Sequence, residues 1–203
     1  MKRSLLFCTG ESGSGKTTYI NNLPNGLYYN LRSLTTREKR KDETEGDKYF
    51  FVDESHFNSE KLITKLWVNQ DFWTPGKPKW LYGVPEFEII NNLGCNFAYD
   101  VIQPRYIREM IDWFHKTEIE GLKLSDIYDF RILWFQPPQN SSEIVQKRQN
   151  MPNDVDVRRK NTCNLDDFKA VGLEPDHRVI CNPAQVYIDS KLRAFLDSFT
   201  NTK

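Results

Sequence analysis

Residues 4–17 read SLLFCTGESGSGKT, and this stretch decides the fold. Its apolar part predicts a buried strand over Ser4–Thr9, and the next residues match the motif G-x-x-x-x-G-K-[S/T] in full: Gly10-Glu11-Ser12-Gly13-Ser14-Gly15-Lys16-Thr17. The residues Thr17–Leu23 predict a helix directly after the motif. A strand, a glycine-rich loop and a helix in this order favour a phosphate-binding loop (P-loop) over an ordinary glycine-rich turn.

The chemistry of this loop indicates the cofactors. Glycines let the backbone curl so that successive N–H groups converge on phosphate oxygens, and the start of the following helix adds to the attraction. Lys16 would contact the β- and γ-phosphates, and the Thr17 hydroxyl would ligate Mg²⁺. The chain has no N-K-x-D motif of the kind with which GTPases read guanine, which favours a kinase. We therefore expect ATP and Mg²⁺, bound by Gly10, Glu11, Ser12, Gly13, Ser14, Gly15, Lys16, Thr17 and Thr18.

Charge and hydropathy limit the classes of partner. The 203 residues include 28 basic and 28 acidic ones, so no overall charge attracts nucleic acid or an anionic membrane. Mean hydropathy is −0.66, and no apolar run approaches the roughly 18 residues of a membrane span. Ser4–Thr9 is also shorter than the roughly 7–15 apolar residues of a secretion signal. We expect a small-molecule nucleotide as the partner and no membrane.

The spacing of the cysteines and histidines indicates neither a redox pair nor a metal site. Cys8, Cys95, Cys163 and Cys181 lie far apart without a C-x-x-C pair, and the three histidines show no metal-ligand spacing. Reduced thiols are the expected state. We therefore expect an intracellular, cytoplasmic protein.

Short apolar runs alternate with amphipathic stretches, which predicts an α/β fold with a mainly parallel sheet. Further strands are predicted at Leu27–Leu31, Asn96–Val101, Arg131–Phe135 and Arg178–Cys181, and an amphipathic closing helix at Gln185–Phe199.

Two regions break the alternation of apolar runs and amphipathic stretches. Ser33–Gly94 is rich in charge, aromatics and turns and predicts an inserted, substrate-facing subdomain. Asn150–Asn164 is polar and basic, and is interpreted as a lid or as a solvated loop, with composition alone favouring the loop.

A second cluster of polar side chains follows at residues 33–52, SLTTREKRKDETEGDKYFFV. Arg37 and Arg40, three residues apart, can converge on one phosphate through forked, charge-assisted hydrogen bonds. Ser33 and Tyr49 can add hydroxyl donors. A solvated charged loop is the other interpretation, and the cluster taken alone favours it.

The P-loop and this cluster together resemble the guanylate kinase family. The pattern S-x-T-T-R-x-x-R, then an acid and E-x-x-G-x-x-Y-x-F, is that family's monophosphate-binding signature, at the same distance from its P-loop. Tyr82-Gly83, before a helix expected near Pro85, resembles the family's Y-G turn, and Phe57 matches a phenylalanine that closes its small sheet. The resemblance runs from about Leu5 to Gly83 and more faintly beyond. It implies that the acceptor's 5′-phosphate is held by Ser33, Arg37, Arg40, Tyr49 and Tyr82.

The residues that would read the base depart from the family pattern. Val68 stands where the family usually places a glutamate that accepts a hydrogen bond from guanine. Asp71 could substitute for it, or the aromatic insert Phe72–Leu81 could reshape the pocket. The family segment D-x-D-x-Q-G appears as Tyr99–Pro104, with one aspartate missing and the glycine replaced by proline. Asp100, at the end of an apolar strand, is a candidate for Mg²⁺ or base contact, and a helix cap is the equally weighted alternative.

The resemblance also implies a lid that closes over the transferring phosphoryl group. Arg148 matches the family arginine on the helix entering the lid, and Arg158 or Arg159 the one leaving it, whereas a further arginine near Asn150–Asn153 is absent. The groups expected to act on the transferring phosphoryl are Lys16, Arg37, Arg148, Arg158 and Arg159.

The sequence therefore predicts one guanylate-kinase-like domain: a P-loop core (1–32, 95–149 and 165–203), a nucleoside-monophosphate-binding subdomain (33–94) and a short lid (150–164). The predicted function is transfer of a phosphoryl group from ATP to GMP or dGMP. One alternative is a P-loop kinase acting on another acceptor, such as a modified deoxynucleotide or a base hydroxyl in DNA. The other is a noncatalytic interaction domain, which the complete P-loop disfavours.

Overall fold

The computed structural model describes residues 2–11, 13–24, 26–41, 43–67, 80–136 and 163–180. Within these ranges the elements follow one another as β1 (Arg3–Gly10), α1 (Lys16–Asn21), β2 (Tyr29–Asn30), β3 (Ser33–Thr35), β4 (Tyr49–Phe51), α2 (Glu54–Ser59), β5 (Leu62–Trp67), β6 (Leu81–Pro85), α3 (Glu86–Ile90), β7 (Phe97–Val101), α4 (Pro104–Lys116), β8 (Glu118–Ile119), β9 (Leu122–Lys123), α5 (Leu124–Ile127), β10 (Tyr128–Gln136), α6 (Leu165–Ala170) and β11 (His177–Ile180). None of the helices described is long and apolar enough to cross a bilayer; the longest, α4, has 13 residues.

The larger sheet has five strands in the order β11-β10-β1-β7-β2, and every pairing in it is parallel. β1 lies in the centre, with Cys8 opposite Leu133 of β10 on one side and opposite Asp100 of β7 on the other. Since parallel strands end at the same edge, the P-loop after β1 and the carboxylate near the end of β7 come together. The predicted α/β fold with a mainly parallel sheet is confirmed.

Helices cover both faces of this sheet, which explains why β1 is apolar without alternation. Leu5 and Phe7 are fully buried in a cluster that includes the inward face of α4. Leu6 and Cys8 point the other way and pack in a cluster with Tyr19 of α1. A strand buried on both faces holds the loop that follows it on a rigid support.

A second, smaller sheet has the order β4-β3-β6-β5 and is formed within residues 33–85. Phe57 of α2 is fully buried beneath it with Leu34 and Leu81, as expected from the family pattern. Gly83 is required by close packing, because a Cβ at this position would lie 2.7 Å from the Thr64 carbonyl oxygen. Helix α3 begins at Glu86 with Pro85 as its N-cap, where the sequence placed it.

Some predicted elements differ from the structure. The strand expected at Leu27–Leu31 is confined to Tyr29–Asn30, and β10 extends beyond both ends of Arg131–Phe135. The closing helix predicted at Gln185–Phe199 lies outside the described residues. Nearly all of the lid and of the insert Phe72–Leu81 also lies outside them. The division into core, subdomain and lid therefore stays a prediction.

Candidate active site

One open cleft between the two sheets brings the separate sequence signals together. It encloses about 830 Å³ of free space, part of it open to solvent. Its lining includes residues of the P-loop and α1 on one side and residues of the small sheet on the other: Gly13, Lys16, Thr17, Ser33, Tyr49 and Tyr82. Predicted donor residues and three of the predicted acceptor residues therefore face one space.

The P-loop has the backbone that the motif demands. Gly13 and Gly15 have φ values of 83° and 92°, in the left-handed region that favours glycine. A Cβ on Gly10 would lie 2.2 Å from the Phe135 carbonyl oxygen, so only glycine fits beside β10. The Ser14 hydroxyl is buried and has no hydrogen-bond partner among the described residues. A polar group held without a partner inside a loop of this shape fits contact with a phosphate.

Lys16 folds back over the loop that contains it. Its ammonium donates hydrogen bonds to the carbonyl oxygens of Gly10 and Glu11 at 2.7 and 2.8 Å, and lies 3.8 Å from Asp100. Burial lowers the pKa of Lys16, with the Asp100 carboxylate acting in the opposite direction. The positive group thus sits at the mouth of the loop, where phosphate oxygens would replace the two carbonyls.

Three polar atoms meet beside this lysine. The Thr17 hydroxyl donates to Oδ2 of Asp100 at 2.8 Å, and the Lys48 ammonium donates to the same Oδ2 at 2.6 Å and to Thr17 Oγ1 at 2.9 Å. Burial alone would raise the pKa of Asp100, but Lys48 and Lys16 outweigh it and lower the pKa to about 2. Asp100 therefore stays ionised. The helix-cap alternative for Asp100 is wrong, because the N-cap of α4 is Gln103.

The pair formed by Thr17 and Asp100 fits the edge of a magnesium site. Mg²⁺ binds oxygens at about 2.0–2.1 Å in an octahedron, so two neighbouring ligand oxygens lie about 2.9 Å apart. The 2.8 Å between Thr17 Oγ1 and Asp100 Oδ2 matches that edge. No cluster of three or more His, Cys, Asp or Glu side chains suited to a metal occurs in the described ranges. The pair thus suits a metal that takes its other ligands from phosphates and water.

On the acceptor side, the structure brings together hydroxyl groups from both sheets. Ser33 Oγ lies 3.4 Å from the Tyr99 hydroxyl, and both side chains are buried. The rings of Tyr49 and Tyr82 meet edge to face, with centroids 5.7 Å apart. Strands β3, β4 and β6 place Ser33, Tyr49 and Tyr82 on one wall of the cleft.

Arg37 and Arg40 are brought together on a carboxylate behind this wall. The buried Arg37 guanidinium forms a forked pair with Glu43 at 2.7 and 2.9 Å and donates to the Tyr82 hydroxyl at 3.1 Å. The Arg40 guanidinium lies 3.7 Å from the same carboxylate. Neither arginine is among the cleft-lining residues. The trio keeps one net positive charge, and an incoming phosphate would compete with Glu43 for the arginines.

A buried cluster fixes the junction between the two sheets. Glu88 of α3, only 1% exposed, accepts hydrogen bonds from the side chain and backbone of Arg32, and from the Tyr29 hydroxyl. Arg32 also donates to the Gly46 carbonyl oxygen at 3.2 Å. Arg32, which lies between β2 and β3, is thereby hydrogen-bonded to the loop that precedes Tyr49.

Several side chains of the site were not singled out from the sequence. Glu43 belongs to the quoted signature, whose fixed spacing from Arg37 was the available signal. Lys48 directly precedes Tyr49, at the end of the loop before β4. Tyr99 lines the cleft, but nothing in the local sequence separated it from core residues. Trp80 also lines the cleft, and it belongs to the aromatic insert that was expected to reshape the pocket.

The other predicted site residues divide into two groups. Glu11 is half-buried, and Thr18 is exposed on α1. Ser12, Asp71, Arg148, Arg158 and Arg159 lie outside the described residues, so their roles stay predictions.

Comparisons with known proteins find similarity to guanylate kinases. No protein-family model matches the chain. It is 38% identical to the guanylate kinase of Malacoplasma penetrans over 84 residues, which is 37% of this chain and less than half (43%) of that protein. It is 26% identical to the guanylate kinase of Ehrlichia chaffeensis over 164 residues, covering 77% of this chain and 68% of that protein. A crystal structure of guanylate kinase from Anaplasma phagocytophilum matches with a TM-score of 0.54 at 16% identity, over 100% of this chain and 88% of that one.

The parallel sheet, the P-loop after its central strand and the facing small sheet define the class as an α/β fold of the P-loop kinase type. Within that class the chain is similar, at low identity, to proteins named guanylate kinase. The resemblance and the fold class expected from the sequence are confirmed.

Proposed function

We propose that the chain is an ATP- and Mg²⁺-dependent nucleoside monophosphate kinase whose best simple acceptor is GMP or dGMP. The observation that carries this proposal is the single cleft lined by Lys16 and Thr17 on one side and by Ser33, Tyr49 and Tyr82 on the other. Phosphoryl transfer needs donor and acceptor held in line with their charge neutralised, and little covalent chemistry from the protein.

On the donor side, the P-loop amides and Lys16 would bind the ATP phosphates. Lys16 gives up its bonds to the Gly10 and Glu11 carbonyls and takes phosphate oxygens in their place, with no change in its charge. Mg²⁺ bound with ATP would be held by Thr17 and Asp100 and would neutralise charge on the phosphates. Asp100 suits this role better than base reading, because its Oδ2 already faces Thr17.

On the acceptor side, Ser33, Tyr49 and Tyr82 would hold the 5′-phosphate from the cleft wall. Arg37 supplies the positive charge behind them, since its Nε already donates to the Tyr82 hydroxyl. Glu43 keeps the Arg37 guanidinium in one orientation through both of its carboxylate oxygens.

Arg148, with Arg158 or Arg159, would complete the site by closing from the lid. Closure of this kind brings further positive charge to the transferring group and excludes water that would otherwise turn the kinase into an ATPase. Asp71 and the insert at 72–81 would select the base of the acceptor nucleotide. A carboxylate facing the guanine amino group would reject adenine, because without that donor it stays buried and unpaired.

The relatives named above are all guanylate kinases, which supports GMP or dGMP over a modified deoxynucleotide or DNA as acceptor. The test is a coupled assay of ADP release across all ribo- and deoxynucleoside monophosphates, with single-stranded DNA included. The proposal expects the highest kcat/KM with GMP or dGMP. ADP release that depends on DNA or a nucleoside, and on no free monophosphate, would overturn the acceptor assignment. A cytoplasmic location stays a prediction.

A further inference from the structure

Lys48 links the two halves of the cleft at the position expected for the metal. It lies in the loop before β4, whereas Thr17 belongs to α1 and Asp100 to β7 of the large sheet. Its ammonium is 2.6 Å from Asp100 Oδ2 and 2.9 Å from Thr17 Oγ1, and these two oxygens are 2.8 Å apart. The three atoms form a nearly equilateral triangle.

An ammonium in this position and a metal on the same two oxygens exclude each other. A magnesium ion bound to both oxygens would lie about 2.0–2.1 Å from each, on the edge that the ammonium now caps. The two cations would then repel each other at close range, beside a carboxylate whose side chain is only 14% exposed. Lys48 must leave Asp100 before a metal can bind there.

We propose that the Lys48 ammonium is an internal competitor of the divalent metal, holding the place between Thr17 and Asp100 until metal and nucleotide displace it. This inference rests on the proposed function, because it takes the P-loop as a site for a metal–nucleotide complex.

Displacement would also connect the donor site with the acceptor site. Lys48 immediately precedes Tyr49, and its ammonium lies 5.5 Å from the centre of the Tyr49 ring. Once released from Asp100, the ammonium remains on a cleft wall next to the proposed acceptor-phosphate group. Metal binding would thus move one positive charge from Asp100 toward the acceptor.

A purely structural ion pair makes the opposite prediction. If Lys48 only held the β4 loop and oriented Asp100, its removal would loosen the site and weaken metal binding. If it competes with the metal, its removal strengthens metal binding and weakens the binding of nucleotide without metal, since Asp100 would then repel the phosphates.

The test compares Lys48→Met with the wild type, with Lys48→Arg, which keeps the charge, and with Lys61→Met, which removes an exposed lysine of the same region. Mn²⁺ alone is titrated into each protein, and free Mn²⁺ is read by electron paramagnetic resonance. Binding of a fluorescent ADP is then measured by anisotropy, with excess EDTA and with Mg²⁺.

We expect Lys48→Met to bind Mn²⁺ at least about tenfold more tightly than the wild type, and the ratio of ADP affinities with and without Mg²⁺ to rise by a similar factor. Lys48→Arg and Lys61→Met should stay close to the wild type. Equal or weaker Mn²⁺ binding by Lys48→Met overturns the inference. Lys48→Gln, which keeps a hydrogen-bond donor without the charge, must change in the same direction and replaces Lys48→Met if that variant does not fold.

The same data separate this inference from the proposed function. A wild type that binds no ADP under either condition would refute the nucleotide site. The Mn²⁺ titration without nucleotide would still decide whether Lys48 competes with the metal.

Discussion

Replacing Arg37 with methionine should damage both stability and acceptor binding, and the two effects can be measured apart. The side chain is 4% exposed and donates to Glu43 through two nitrogens, to Tyr82 and to the Glu38 carbonyl oxygen. Methionine fills similar space without any donor. Glu43 would lose both hydrogen bonds from Arg37 and keep its contacts with the backbone and guanidinium of Arg40.

The expected loss of stability follows from the burial of the pair. Removing one partner of a buried ion pair costs about 3–5 kcal/mol. Glu43 keeps 20% of its side chain exposed and has Arg40 nearby, so we expect the low end, about 3 kcal/mol. For a chain of this size that corresponds to a fall in Tm of about 6–12 °C.

The expected loss of acceptor binding is a separate quantity. A charge-assisted contact is worth about 1.5–3 kcal/mol, so the KM for GMP or dGMP should rise at least about tenfold while the affinity for ATP stays nearly constant. Steady-state kinetics below the melting transition measure the acceptor KM. Calorimetric titration with a non-hydrolysable ATP analogue measures the affinity for ATP.

Glu43→Gln is the matched control for this experiment. It breaks the same ion pair but keeps the Arg37 charge, so it should lose stability without raising the acceptor KM. If Glu43→Gln raises that KM as much as Arg37→Met does, acceptor binding follows the integrity of the loop and the role given to Arg37 is refuted.

Three further predictions concern other parts of the molecule. The pKa of Asp100 is lowered to about 2 from an ordinary 3.8, so its stabilising effect is full above pH 3.8 and is lost as the pH falls through 2. The free energy of unfolding should therefore fall more steeply between pH 4 and 2 in the wild type than in Asp100→Asn, and parallel curves would contradict this. Gly83→Ala should cost about 1–3 kcal/mol in denaturant unfolding, because its Cβ would overlap the Thr64 carbonyl; an unchanged midpoint would contradict that contact. Amides of 150–164 should exchange freely alone and become protected with a bisubstrate analogue, and equal exchange in both states would refute the lid.

The parts of the structure that could be predicted from the sequence are those carried by local patterns. The apolar run Ser4–Thr9 predicted a buried strand, and the full motif between a strand and a helix favoured a phosphate-binding loop over a glycine-rich turn. The family resemblance identified the Y-G pair at Tyr82, and the packing of Gly83 against Thr64 gives the physical reason for the glycine.

The parts that could not be predicted depend on contacts between distant residues. Lys48 meets Asp100 across 52 positions of sequence, so neither residue's neighbours indicate the pair. The ion pair between Glu43 and Arg37 joins residues that are close in sequence. Its strength depends on the burial of Arg37, and burial cannot be predicted from a charged stretch of sequence. Tyr99 looks like one more core aromatic of β7 until Ser33 is found beside its hydroxyl.

Transfer of labelled phosphate tests the central claim most directly. The purified chain is incubated with Mg²⁺, ATP carrying a γ-label, and GMP or dGMP, and the products are separated by chromatography. We expect labelled GDP or dGDP from the wild type, and a loss of about 3–5 kcal/mol in kcat/KM, roughly 10²–10³-fold or more, in a folded Lys16→Ala variant. A wild type that labels no nucleoside monophosphate, or a Lys16→Ala variant within a few-fold of it, would contradict the account.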